Sequence, residues 1–82
     1  VSEVQSELAS ADAALTRAVG LAHARRDEAG RRVRAAELGP HGRSDEIQAA
    51  SELQDRWGEL VDDIEQVRAS VSELVREAED LA

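Results

Sequence analysis

Apolar positions recur along both halves of the chain at alternating spacings of three and four. In the second half, Ala50, Leu53, Trp57, Leu60, Ile64, Val67, Val71, Leu74, Ala78 and Leu81 keep that spacing without a break. These are a and d positions of a heptad repeat, and they mark one face of a long helix for burial against a partner helix. In the first half, Val1, Val4, Leu8, Ala11, Leu15, Ala18 and Ala22 follow the same alternation. There the pattern then loosens. Arg25 and Arg32 fall on d, while Val19, Ala29, Val33 and Ala36 carry the stripe towards e, as in a helix that does not supercoil.

Gly39-Pro40-His41-Gly42 is the one strong break between the two patterns. Gly39 suits a left-handed helix end, and Pro40 cannot continue a helix. Ser44 suits the N-cap of the second helix, with Asp45 and Glu46 at its positive end. Ser2-Glu3-Val4-Gln5 fits a capping box, which predicts a helix start near Ser2 and an N-terminus close to complete. The first residue is Val rather than Met, as in a processed chain, a trimmed fragment or a product of a GTG start. The expected architecture is all-α: one domain over residues 1–82, an antiparallel two-helix hairpin. Its helices run from about 2 to 38 and 45 to 81, joined by a turn at 39–43. A hairpin of this size has no enclosed core, so assembly into a four-helix bundle or coiled coil is expected.

A short turn makes the helices antiparallel neighbours, with partners whose numbers sum to about 82. Leu8 then meets Leu74, Leu15 meets Val67, Ala18 meets Ile64, Ala22 meets Leu60 and Ala29 meets Leu53. Small residues of helix 1 face large ones of helix 2, which permits close packing. The same rule sets Arg25 opposite Trp57, Arg26 near Asp55 and Glu59, and Arg17 near Asp62 and Glu65.

Composition adds a charge asymmetry. The net charge is −8. Residues 1–41 carry six Arg and six acids, and residues 42–82 carry four Arg and twelve acids, so the second half holds the whole excess. An acidic half argues against a general nucleic-acid binder. Every basic residue is Arg and none is Lys, as expected of GC-rich bacterial coding, with selection for Arg chemistry as the alternative. There is no Cys, which excludes disulfides and thiolate metal sites. No apolar run is long enough to span a membrane, and no signal-peptide pattern is present. A cytoplasmic protein is expected, with export by a route lacking a cleaved signal left open.

Chemistry-bearing patterns are few. Arg25, Arg26, Arg31, Arg32 and Arg34 form a basic run near the turn, but Asp27 and Glu28 interrupt it and no aromatic interleaves it. Pairing with acids of helix 2 is expected rather than phosphate binding. His23 and His41 are isolated, and no Glu-x-x-His pair occurs, so no metal or other cofactor is expected. Glu52, Asp55, Glu59, Asp62, Asp63 and Glu65 lie mostly on outer positions and read as a solvated face. Gly20, Gly30 and Gly58 also fall on outer positions, each weakening its helix relative to Ala. They are chance substitutions, or places where another backbone approaches or the helix bends. No nucleophile–base grouping, phosphate loop or enclosed volume can be placed. An enzyme and a small-molecule substrate are not expected.

The candidate site is therefore a surface. Trp57 occupies an a position, either as a core residue with its indole on the Arg25 guanidinium or as a partner-binding anchor. Ile47, Val61 and Val75 widen the stripe of helix 2 beyond what one facing helix covers. Arg stems can shield them, or they form a second contact surface. With Trp57 and the central Ile64 they make up the expected partner interface. The partner is a second copy or another helical protein, with neither nucleic acid nor membrane involved.

A small helical hairpin without a signal peptide resembles the WXG family of type VII secretion substrates, whose members form hairpins that dimerise into four-helix bundles. The resemblance covers the whole chain at the level of architecture. It departs in motif: the family's Trp-x-Gly lies in the turn, whereas here Trp57-Gly58 is adjacent and inside helix 2. The family's C-terminal Tyr-x-x-x-Asp/Glu has no counterpart, since the chain contains no Tyr. No functional residue carries over. Three functions are thus expected in order: a structural or adaptor protein acting by helix–helix association, a type VII secretion substrate or partner, and an acidic helical regulator that sequesters a partner protein.

Overall fold

The computed structural model describes residues 3–39 and 44–81. Helix α1 runs Glu3–Leu38 and helix α2 runs Ser44–Leu81, packed antiparallel as a hairpin 62 Å long and 14 Å by 12 Å across. Both helices are rich in Ala, Leu, Glu and Arg, which keep rotamer freedom in a helix, and neither contains proline. The first turn of α2 holds Asp45 and Glu46, whose charge suits the positive end of the macrodipole. The capping box at Ser2 and the Pro40-His41-Gly42 break lie outside the described residues. Gly39 ends α1 without entering the left-handed region expected of it.

The contact between the helices is a two-sided heptad seam. On α1 the inward positions are Gln5, Leu8, Asp12, Leu15, Val19, Ala22, Arg26, Ala29, Val33 and Ala36. On α2 they are Ile47, Ala50, Gln54, Trp57, Val61, Ile64, Arg68, Val71, Val75 and Ala78. Each row alternates spacings of three and four, so each keeps one stripe against the other helix. Among the described residues only Val19, Ala22, Ala29 and Val61 are fully buried. Two of those four are alanines, which let the helix axes approach but bury little apolar surface.

This seam corrects the expected one by a rotation of each helix. The a positions Ala50, Trp57, Ile64, Val71 and Ala78 do face inward. The d positions do not: Leu53, Leu60, Val67 and Leu74 stay between 40 % and 52 % exposed, and Leu81 is exposed. Their place is taken by Ile47, Gln54, Val61, Arg68 and Val75. The e-ward drift noted on α1 is the true seam along most of that helix, and Val4, Ala11 and Leu21 lie outside it. The a row belongs to two overlapping heptad patterns, so the hairpin closes on one edge of the stripe rather than its centre.

The glycines also differ in role. A Cβ built on Gly30 would lie 2.9 Å from Gln54 Nε2, and one on Gly58 would lie 3.7 Å from Arg26 Cδ. Each helix thus lays a long polar side chain across a glycine of the other, so these two are contact positions rather than outer ones. Gly20 has nothing within 4 Å.

Two changes test this packing. Val61→Asp places a carboxylate at the most enclosed point of the seam, where Val61 is 2 % exposed, and should abolish cooperative thermal unfolding by circular dichroism. Loss of assembly with the hairpin intact would contradict the seam. Gly20→Ala meets open space and should raise stability by up to about 1 kcal/mol through helix propensity, read as an upward shift in Tm.

Candidate association surface

The groove between two packed helices has two sides, and here they differ in chemistry. One side carries Val4, Ala11 and Ala18 from α1 beside Leu53, Leu60, Val67 and Leu74 from α2. Towards the loop end, its concavity is lined by Arg25, Glu28, Ala29, Arg32, Leu53 and Trp57. The opposite side is polar towards the loop end and lined mainly by small residues at the far end. Near the loop end, Arg26, Asp27, Asp55, Glu59 and Asp62 surround Gly58. Near the far end, Ser6, Ala9, Ser10 and Ala13 lie beside Val75 and Glu79. The hairpin is therefore amphipathic as a unit: an apolar broad face, and an acidic or small-residue face behind it.

The five residues expected at a partner interface fall as follows. Val61 is buried inside the hairpin, and Ile47, Trp57, Ile64 and Val75 are half-buried along the same seam. The row Ile47, Val61 and Val75 thus spends its apolar surface on α1. The apolar surface that faces outward belongs to the d row of Leu53, Leu60, Val67 and Leu74, which the heptad pattern alone places in the interior. The signal for it was present: two interleaved three–four patterns on one helix imply two neighbours. Trp57 and Ile64 stand on the boundary between the inner seam and the open face, and Trp57 shares its concavity with Arg25 as the antiparallel pairing predicted.

Electrostatic pairing departs from expectation. Arg25 Nη1 lies 3.5 Å from Glu28 Oε2, and Arg32 Nη2 donates to Glu28 Oε1 at 3.0 Å. These i,i+3 and i,i+4 pairs keep the basic run within its own helix instead of tying it to α2. Among the described residues, one ion pair and one histidine–carboxylate contact cross between the helices. His23 Nε2 approaches Glu65 Oε1 at 3.7 Å, and Arg68 Nε approaches Asp12 Oδ1 at 3.8 Å. Arg17 pairs with neither Asp62 nor Glu65.

Asp12 and Arg68 are seam residues, not rim residues. Asp12 Oδ1 is shielded from solvent and accepts no hydrogen bond. A long ion pair with an orphaned acceptor is poor stabilisation, because desolvation of the carboxylate is only partly offset. Its worth lies in alignment, since each charge has its counterpart at one register only.

Among the described residues no group of three or more His, Asp or Glu is placed to hold a metal ion, and no helix is long and apolar enough to cross a membrane. The comparisons with known proteins yield no relative: no family model matches the chain, and no curated protein or solved structure matches it. The likeness to the WXG hairpins therefore stands on architecture alone.

Replacing the seam pair by leucines, Asp12→Leu with Arg68→Leu, should raise stability by about 1 kcal/mol, because both charges leave a partly desolvated position together. Arg68→Leu alone leaves Asp12 unpaired and should lower it. Thermal melts of the three variants decide this; a double variant less stable than Arg68→Leu would show that the pair carries net stabilisation.

Proposed function

We propose that the chain is a non-enzymatic assembly module that works by helix–helix association through its apolar broad face. One observation carries this: the row Leu53, Leu60, Val67 and Leu74 repeats every seven residues along α2 and remains about half exposed. Isolated exposed leucines are ordinary on a monomer, but a continuous heptad row is the pattern of a coiled-coil seam awaiting a helix. The small buried core supports the same conclusion, because a hairpin with only four buried residues among those described gains much by covering a second face.

The test is sedimentation of the purified chain, alone and with any helical protein that co-purifies. Wild type should sediment as an assembly, and its Tm should rise with concentration, as mass action requires. The variant Leu60→Gln with Leu74→Gln should sediment as a monomer and keep much of its helix signal. A stable monomer at micromolar concentration with no co-purifying partner would overturn the proposal.

A second proposal, a substrate or partner of a type VII secretion system, has the hairpin architecture behind it. Its check is appearance in culture supernatant that depends on the secretion ATPase. A third, an acidic regulator that masks a basic protein surface, draws on the acids of the polar face around Arg26. Capture of a partner that is indifferent to salt would count against it, because exposed charge attraction is screened.

A further inference from the structure

Resting on the association proposal, we infer that the occupant of the apolar face is a second copy of this chain, related by a two-fold axis parallel to the helices, with both loops at the same end. In that arrangement α1 of each copy packs on α2 of the other, and all neighbouring helices are antiparallel.

The two surfaces fit in shape. The outward row of α1 over its first two-thirds is Val4, Ala11 and Ala18, with Ala14 and Leu21 beside it, and the outward row of α2 is Leu60, Val67 and Leu74. Leucines and valine of one copy thus meet a shallow alanine surface of the other, the large-against-small complement that packed cores require.

They also fit in register. A two-fold parallel to the rod places every residue of the second copy at the height it has in the first. The levels are set by the intramolecular contacts Gly30–Gln54 and Arg26–Gly58, whose residue numbers sum to 84. The dimer therefore has no freedom to slide, and its charge pairs follow without adjustment. Glu28 falls level with Arg56 of the second copy. Among the described residues Arg56 forms no ion pair within one hairpin, so its charge is open to a partner. Such complementarity fixes orientation more than it adds affinity.

The alternative two-fold, perpendicular to the helices, fails on the same count. It sets α2 antiparallel against its own copy, and α2 carries twelve acids against three Arg. It also offers leucine to leucine and alanine to alanine, leaving one half of the face crowded and the other hollow. The same-end arrangement contains one like-charge coincidence, Glu7 with Glu77 of the second copy, and this supplies a test.

The absence of cysteine from the chain allows a single spin label. Glu37, exposed at the loop end of α1, is replaced by Cys and labelled. With a rise of ~1.5 Å per residue and helices ~10 Å apart, the two labels should lie within about 30 Å in the same-end dimer and roughly 50 Å apart in an opposite-end one. A short distance in a species that sediments as a dimer is the expected result. Arg56→Glu should weaken the dimer about tenfold, since two contacts per dimer are reversed, and Glu28→Arg in the same chain should recover most of that loss. Glu77→Arg should tighten it. A long label distance, or a stoichiometry other than two, overturns this geometry while leaving the association proposal standing. A monomer that co-purifies with another helical protein overturns self-association but keeps that proposal, and a monomer without any partner overturns both.

Discussion

One constraint governs this molecule: α2 carries an apolar stripe wider than a single facing helix can cover. A helix buries about two heptad rows against one neighbour, and α2 offers three: Ile47 to Val75, Ala50 to Ala78, and Leu53 to Leu81. Helix α1 takes the first two and leaves the third open. The modest core, the half-exposed leucines and the difference between the two sides of the groove all follow from that mismatch.

The division of polar residues is consistent with it. The inner seam tolerates Gln54 and Arg68 on α2, and Asp12 and Arg26 on α1. The outer row of α2 contains no polar residue from Leu53 to Leu81 at its heptad positions. The more apolar of the two rows thus points away from the molecule's own partner helix. In an isolated monomer this would be the wrong way round, because burying leucines releases more free energy than burying an arginine stem. In a four-helix arrangement it is the right way, because the stripe of each helix then points at the space the helices share.

The hairpin itself was legible in the amino acids. Gly39 and Pro40 interrupt two long amphipathic patterns, and antiparallel pairing about the turn correctly set Arg25 beside Trp57 and Ala29 beside Leu53. The rotation of the helices was not legible. Trp57, Ile64 and Val71 belong equally to the seam with Val61 and to the seam with Leu60, and heptad spacing alone cannot choose between them. The choice depends on α1, where Val19 and Val33 lie on one side of the Ala22–Ala29 row and Arg25 and Arg32 on the other. The glycine contacts were hidden for a related reason: Gly30 and Gly58 sit at the seam's edge only after the rotation is known. The pairing of Glu28 with both Arg25 and Arg32, by contrast, follows directly from i,i+3 and i,i+4 spacing.

The Asp12–Arg68 pair has a mechanical consequence. A slide of one helix along the other preserves the apolar pattern only in steps of a heptad, roughly 10 Å at ~1.5 Å per residue. After one such step Asp12 would face Val61 or Val75, and Arg68 would face Val19 or Gln5. Each step therefore strands Asp12 against a valine and takes from Arg68 its carboxylate partner. Pulled along its length, the rod would resist as a toothed rail does, with one notch deeper than the rest, rather than slip like two smooth cylinders.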